Sequence, residues 1–137
     1  MVESWVLYAT ASLFIFGIAN FMIKFVSDKA PIPLMSLMIY CSTIILPLGY
    51  FLYSGGKFQA SNNVLALAII TGIFLAAGSI MMLYAFRISS ASQVIPIVNL
   101  NTLVTVGLAI LILNEKLTPK IGLGIVFAVV SIYLLTT

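Results

Sequence analysis

The sequence lacks the residues on which most enzymes and metal sites depend. Histidine is absent, and Cys41 is the only cysteine among 137 residues. A single cysteine excludes an internal disulfide, no metal-ligand spacing exists, and the thiol has no histidine to activate it. There is also no phosphate-cradling glycine loop and no pair of carboxylates at the centre of an apolar segment. We therefore predict no catalytic residue, no metal and no cofactor, and we expect Cys41 to be a small buried apolar side chain.

Charge is scarce as well. Only 7% of the residues are charged, 63% are hydrophobic, and the net charge is +3. A soluble domain usually carries about 25% charged residues, so this chain has too few to cover a surface in water. The basic residues are scattered singly, which argues against a nucleic-acid partner. The apolar excess indicates that a lipid bilayer surrounds the protein.

What the sequence does contain is five long uncharged segments, each sufficient for one spanning helix of roughly 17 to 25 residues. We predict an all-α polytopic membrane protein with one transmembrane domain over residues 1–137. Pro31 and Pro33 cannot lie inside a helix that continues from the first, and Thr118 with Pro119 is a typical helix start. The helices are predicted at about 4–24, 33–53, 62–86, 92–113 and 119–136.

Proline and small residues mark positions inside these helices where the backbone is exceptional. Pro47 and Pro96 are expected to kink the second and fourth helices, either for packing or beside a substrate cavity. Small residues four positions apart share a helix face and let another backbone approach closely. Two such pairs are predicted to mediate helix packing: Gly72 with Ala76, and Gly124 with Ala128.

Neutral polar and aromatic side chains inside the helices are the candidates for a substrate cavity. An unpaired amide in hydrocarbon is costly, so each must face another helix, the protein interior or a water-filled cavity. Gln93 and Asn99 lie broadly on one face of the fourth helix, whereas Asn101 points elsewhere and is expected to pair with another helix. Interhelical hydrogen bonding is the alternative for every one of them. The cavity candidates are Asn20, Tyr40, Tyr84, Gln93 and Asn99.

The basic residues are divided equally between the two membrane sides. Five spans place Lys24, Lys29 and Arg87 on one side, and Lys57, Lys116 and Lys120 on the other. The excess of Lys and Arg that normally sets orientation is therefore missing. Either another feature decides a single orientation, or copies insert both ways and pair antiparallel. Lys24 and Arg87 lie at helix ends and are expected to extend to the interface, or else to form a gate at a cavity mouth.

Several stretches resemble a known transporter domain. The segment Tyr84–Pro96 is similar to the passage from the third to the fourth helix of the EamA domain, which defines a branch of the drug/metabolite transporter superfamily. Leu113–Thr118, followed by Ile121 and Gly122, resembles the family's short loop, in which an acidic residue and a leucine precede the last helix and its glycine. The N-terminal half matches through Gly17, Asn20 and Lys24.

The resemblance implies an architecture and a function. The usual family member has ten helices in two inverted five-helix halves, and this chain corresponds to one half. It implies a secondary transporter for a small organic metabolite, amino-acid-like or neutral or zwitterionic, in a prokaryotic inner or plasma membrane. The partner would be a second copy, probably antiparallel, or a second half-transporter chain. Alternating access would then move the substrate between the two sides.

The same resemblance leaves other functions open. The related small multidrug resistance proteins carry an intramembrane glutamate in helix one, and the corresponding position here falls near Phe16. Proton-coupled export of cationic drugs through that carboxylate is therefore not expected. The alternatives are a non-transporting accessory or structural membrane protein and a flippase subunit for a lipid-linked sugar.

Overall fold

A computed structural model describes residues 4–57, 59–116 and 118–136, so Leu117 of the loop motif lies outside the described residues. The described residues form helices only, and the prediction of an all-α fold is confirmed. The helices are α1 (Ser4–Ser27), α2 (Ile32–Thr43), α3 (Ile45–Tyr53), α4 (Asn62–Ile88), α5 (Ala91–Asn99), α6 (Asn101–Leu113) and α7 (Pro119–Thr136).

These helices amount to five membrane-spanning segments. Among the described residues, α1, α2 with α3, α4, and α5 with α6 each form a helical segment long and apolar enough to cross a bilayer. The fifth, α7, is a shorter apolar helix. The chain is therefore a multi-pass membrane protein, as its composition predicts.

The second span is interrupted at Ile44, close to its middle. Pro47 has no N–H to donate to the carbonyl of Thr43, and its ring crowds that carbonyl, so α2 ends at Thr43. The helix resumes at once, because the N–H of Leu48 donates to the carbonyl of Ile44 at 3.0 Å. The interruption therefore lies one turn before the proline.

The fourth span is interrupted at Leu100, between Asn99 and Asn101. The N–H of Leu100 donates to Ile97 at 3.1 Å, and the carbonyl of Leu100 accepts from Leu103 at 2.9 Å, so two tight three-residue turns follow one another. Pro96 lies inside α5, four residues before this interruption. Asparagine is a weak helix former, and two of them flank the residue at which the α-helix stops.

The helix ends carry the expected signals. The hydroxyl of Thr118 accepts a hydrogen bond from the N–H of Ile121 at 3.4 Å, which confirms Thr118 as the cap of α7. Gly55 and Gly56 follow α3 with φ of 91° and 58°, the left-handed values that glycine adopts without strain. Asn114 ends α6 with φ of 54°, a conformation that asparagine tolerates better than most residues.

The chain divides into two compact units, Met1–Ile88 and Ser89–Thr137, called unit 1 and unit 2 here. In unit 1, α4 packs against α1 and α2; in unit 2, α5 packs against α7. Very few described residues are buried. They are Ser27, Ile32, Leu83 and Phe86 in unit 1 and Val94 in unit 2.

The expectation that Cys41 is buried is wrong, because its side chain is exposed. Its neighbours take the packed faces of α2: Tyr40 lies toward α4, and Ser42 toward α1. An apolar sequence run does not distinguish a side chain inside the protein from one that faces lipid or a second chain, since both environments are apolar.

Candidate functional site

A cleft in unit 1 lies between α2 and α4 and contains two of the predicted cavity residues, Tyr40 and Tyr84. Its volume is about 490 Å³. We call it the tyrosine cleft. Its lining consists of Ile32, Pro33, Ser36, Leu37 and Tyr40 from α2, and Ala76, Ile80 and Tyr84 from α4. No Asp, Glu, Lys or Arg is among these residues, so the cleft offers aromatic and aliphatic contacts without a formal charge.

The two tyrosines have different roles in this cleft. The hydroxyl of Tyr40 donates to the backbone carbonyl of Leu75 at 2.7 Å and so ties α2 to α4. The hydroxyl of Tyr84 makes no hydrogen bond to any residue that the structure describes, and the side chain is half exposed. The hydroxyl of Ser36 donates to the carbonyl of Pro33 at 3.0 Å. Tyr84 is therefore the lining group with a free hydroxyl for a ligand.

A second cleft lies within unit 2, between the interrupted fourth span and α7. Its volume is also about 490 Å³, and we call it the asparagine cleft. Asn99 and Thr102 are its polar lining residues, and Gly124 and Ala128 lie among the aliphatic ones. A Cβ atom added to Gly124 would meet nothing within 4 Å. The predicted packing face of α7 thus borders open space instead of a backbone in close contact.

The structure separates Gln93 from Asn99. The amide oxygen of Gln93 accepts from the hydroxyl of Ser89 at 2.6 Å and from that of Ser90 at 3.2 Å, at the start of α5. Asn99 lies at the other end of α5 and makes no side-chain hydrogen bond to a described residue. Sharing one helix face did not bring these two amides together, because serines adjacent in sequence were nearer partners for Gln93.

The remaining predicted residues lie apart from these clefts or on their edge. Asn20 is half-buried on α1 and lines neither cleft. Ala76 lines the tyrosine cleft, whereas Gly72, one turn earlier, has nothing within 4 Å of an added Cβ atom. Asn101, expected to pair with another helix, has no side-chain partner among the described residues.

The most extensive polar cluster was not anticipated, and it lies where α1 and α4 end. The ammonium of Lys24, on α1, donates to the carbonyl of Phe86 on α4. Arg87, on α4, returns the contact: its Nε donates to the carbonyl of Ser27 at 2.9 Å, and its Nη2 donates to the carbonyl of Ala30. Lys24 also lies 3.5 Å from a carboxylate oxygen of Asp28. We call this reciprocal arrangement the helix-end clamp.

The clamp has a clear electrostatic cause. Spans alternate in direction, so α1 and α4 run parallel and end on the same membrane side. Each helix end carries a partial negative charge and carbonyls without an intrahelical partner, and two such ends repel when adjacent. A cation from each helix satisfies carbonyls of the other, and Ser27, whose hydroxyl donates to the Lys24 carbonyl at 2.8 Å, is fully buried between them.

A sequence signal for the clamp does exist. Each of the two helices carries a basic residue in its last turn, Lys24 in α1 and Arg87 in α4. Snorkelling to the interface explains one such residue, but two parallel helices that both end in this way could have suggested an exchange. The partner carbonyls lie 62 and 60 residues away in sequence, which no local pattern reveals.

Comparison with known proteins gives a consistent result. The model of the EamA-like transporter family matches residues 3–137. An uncharacterized protein of Methanocaldococcus jannaschii is 31% identical over 121 residues, a stretch that covers 88% of each chain. The two chains therefore have comparable lengths. No solved structure matches this chain.

Proposed function

This chain belongs to the EamA-like transporter family, and from that membership we propose that it is a dimeric secondary transporter that works by alternating access. The members of the family are transporters and not enzymes. The proposed cargo is a small organic metabolite, amino-acid-like or otherwise neutral or zwitterionic. The proposed location is a prokaryotic inner or plasma membrane, which the relative from Methanocaldococcus jannaschii supports.

The tyrosine cleft supports the substrate class. Its walls combine the ring of Tyr84, the free hydroxyl of that residue and aliphatic side chains, with no charged residue among them. A formally charged ligand would lose its hydration there without gaining an opposite charge. A neutral molecule, or a zwitterion whose charges reach helix ends and backbone groups, loses less. We therefore assign the uncharged part of the substrate to this cleft.

Unpartnered amides within the spans are the observation that carries the proposal of a second chain. Asn20, Asn99 and Asn101 make no side-chain hydrogen bond to any described residue. Asn99 lies about 12 Å along its span from Ala91, at 1.5 Å per residue, deep in a hydrocarbon core of about 30 Å. Each unpaired amide costs roughly 4 to 8 kcal/mol in alkane-like surroundings. A second chain enclosing a hydrated cavity would remove that cost.

The second chain is proposed to be a copy inserted in the opposite orientation. Lys and Arg are divided three against three between the membrane sides, so neither orientation is favoured by charge. An antiparallel pair would also reproduce the inverted repeat on which many secondary transporters are built. A different half-transporter chain of fixed orientation would meet the same need, and a topology experiment separates the two.

Single cysteines on opposite membrane sides test this arrangement. In a Cys41→Ser background, Ala60→Cys marks the loop before α4 and Ile88→Cys marks the end of α4; both positions are exposed. Intact cells are labelled with a membrane-impermeant thiol reagent before and after permeabilisation. We expect about half of each variant to label from outside. Complete labelling at one position and none at the other would contradict dual insertion and require a different partner chain.

Transport is tested with the purified dimer. A panel of neutral, zwitterionic, cationic and anionic metabolites, with one lipid-linked sugar, is screened for thermal stabilisation, and each hit is tested for uptake into proteoliposomes. We expect hits among neutral or zwitterionic compounds, and we expect Tyr84→Phe to weaken them. Stabilisation by the lipid-linked sugar alone would favour the flippase. No stabilisation and no uptake by any class would favour the accessory role.

A further inference from the structure

We infer that Lys24 and Arg87 are positioning residues for the tyrosine cleft: their exchange of carbonyl contacts sets the separation of its two walls. The inference rests on the proposed function only in giving that cleft to the substrate. Neither side chain is among the lining residues, so neither is expected to touch the cargo itself.

The path from the clamp to the first wall is short. Arg87 holds the carbonyls of Ser27 and Ala30, which are the first and fourth residues of the stretch Ser27–Ala30. Two residues after Ala30 comes Ile32, where α2 begins and where the lining of the cleft begins. Ile32 is also one of the few buried residues. The start of α2 is thus anchored to the guanidinium of an α4 residue.

The second wall is anchored in the opposite sense. Tyr84 lies on α4 two residues before Phe86, whose carbonyl accepts from Lys24. Leu83 and Phe86, on the same turn, are buried. The α4 wall is therefore held by a cation of α1, while the α2 wall is held by a cation of α4. Removing either cation releases one wall and leaves the other attached.

Further along the cleft, Tyr40 provides a second attachment between the same two helices through its bond to Leu75. The cleft is therefore bounded by the clamp at the loop end and by this hydrogen bond nearer the centre of the membrane. Charge-assisted hydrogen bonds are stronger than neutral ones, and guanidinium presents its donors in a rigid fork. We expect the clamp to be the firmer of the two attachments and the determinant of the wall separation.

Lys29 is a matched control in the same stretch of chain. Its ammonium lies 3.5 Å from the centroid of the Phe25 ring, a contact that joins neighbouring turns of the same segment. Lys29→Gln removes one positive charge from the same membrane side as Lys24→Gln but releases no carbonyl of another helix. An effect of charge alone would appear in both variants, whereas an effect of the clamp would appear only in Lys24→Gln and Arg87→Gln.

The experiment measures distances between spin labels in lipid, with an excess of unlabelled chain to suppress distances between copies. In the Cys41→Ser background, labels at Leu34 and Met81, both exposed, report on the α2 and α4 walls. Labels at Tyr53 and Val64 report on the other end of the same helices. We expect Arg87→Gln and Lys24→Gln to shift the Leu34–Met81 distribution to longer and broader distances, with Tyr53–Val64 and Lys29→Gln unchanged.

Conservative variants distinguish positioning from a general loss of fold. Lys24→Arg retains a donor to Phe86 and should restore the parent distribution, whereas Arg87→Lys can hold one carbonyl at a time and should be intermediate. If Arg87→Gln does not fold, Lys24→Gln alone decides. An unchanged Leu34–Met81 distribution in Lys24→Gln, or an equal change in Lys29→Gln, would overturn the inference.

These distances need no substrate. A clamp that proves real while no ligand is found would leave the inference standing and count against the proposed transport. A ligand that binds a protein whose cleft ignores the clamp would do the reverse.

Discussion

The two ends of unit 1 differ in how their helices are held together. At one end, where α1 and α4 finish and α2 begins, Lys24 and Arg87 bond carbonyls of other elements, and the four buried residues of the unit lie there. At the other end, where α3 finishes and α4 begins, no described residue is buried. The hydrogen bonds of Thr10, Ser12 and Ser54 there stay within their own helices.

The contrast shows what holds helices together in a bilayer. Lipid is as apolar as leucine, so burying apolar side chains between helices contributes little driving force. Close packing and hydrogen bonds between helices must do it instead. The clamped end has both, and Phe86 is 0% exposed there, whereas Tyr53 at the opposite end is 90% exposed. We expect lipid or the proposed second chain to cover the latter.

The largest effect that would test this contrast is expected at Phe86. Phe86→Ala removes a fully buried ring, and such truncations cost about 3 to 5 kcal/mol of folding free energy. Phe74→Ala is the matched control, because Phe74 lies on the same helix and is exposed. It should cost less than about 1 kcal/mol. Unfolding by denaturing detergent in mixed micelles measures both; equal losses would show that the two positions are equally packed.

A medium effect is expected at the tyrosines. Tyr40→Phe deletes the 2.7 Å bond to Leu75 and should lower the free energy of unfolding by about 1 kcal/mol. Tyr84→Phe deletes a hydroxyl without a partner in the described structure and should leave stability unchanged within error. The same detergent titration compares them. A larger loss in Tyr84→Phe would mean that its hydroxyl has a partner in the assembled protein.

The smallest effect is expected at Asp28. Its contact with Lys24 is long, at 3.5 Å, and the carboxylate side chain is 59% exposed. Exposed ion pairs of this kind contribute about 0 to 1 kcal/mol. Asp28→Asn should therefore change stability far less than Arg87→Gln in the same titration. A comparable loss in the two variants would show that the ion pair, and not the carbonyl contacts, secures this end.

The sequence allowed the helices to be predicted because their causes are local. Apolar length identified the spans, Thr118 with Pro119 marked the start of α7, and the two glycines marked the end of α3. The predicted cavity residues were brought together only in part. Tyr40 and Tyr84 share a cleft, whereas Gln93 is engaged by neighbouring serines and Asn99 lines a different cleft. Helical spacing reports a shared face but not the group that the face meets.

Cys41, Lys24 and Arg87 show the limit most clearly. Cys41 lies in an apolar run and is nevertheless exposed, because outward and inward faces are equally apolar in a membrane protein. Lys24 and Arg87 were correctly placed at helix ends, yet their principal partners are carbonyls on the other helix. A snorkelling side chain and a clamping one occupy the same sequence position and differ only in what lies beside them.

The sequence alone determined that this chain crosses a membrane, that it does so with about five helices, and to which family it belongs. Transfer of apolar segments into lipid adds up residue by residue and needs no knowledge of neighbours. Only the tertiary structure decided which cation holds which carbonyl and which tyrosine keeps a free hydroxyl. Those pairings depend on the rotation and parallel contact of helices about sixty residues apart in sequence, and hydrogen bonds are too short-ranged and directional to be inferred without both.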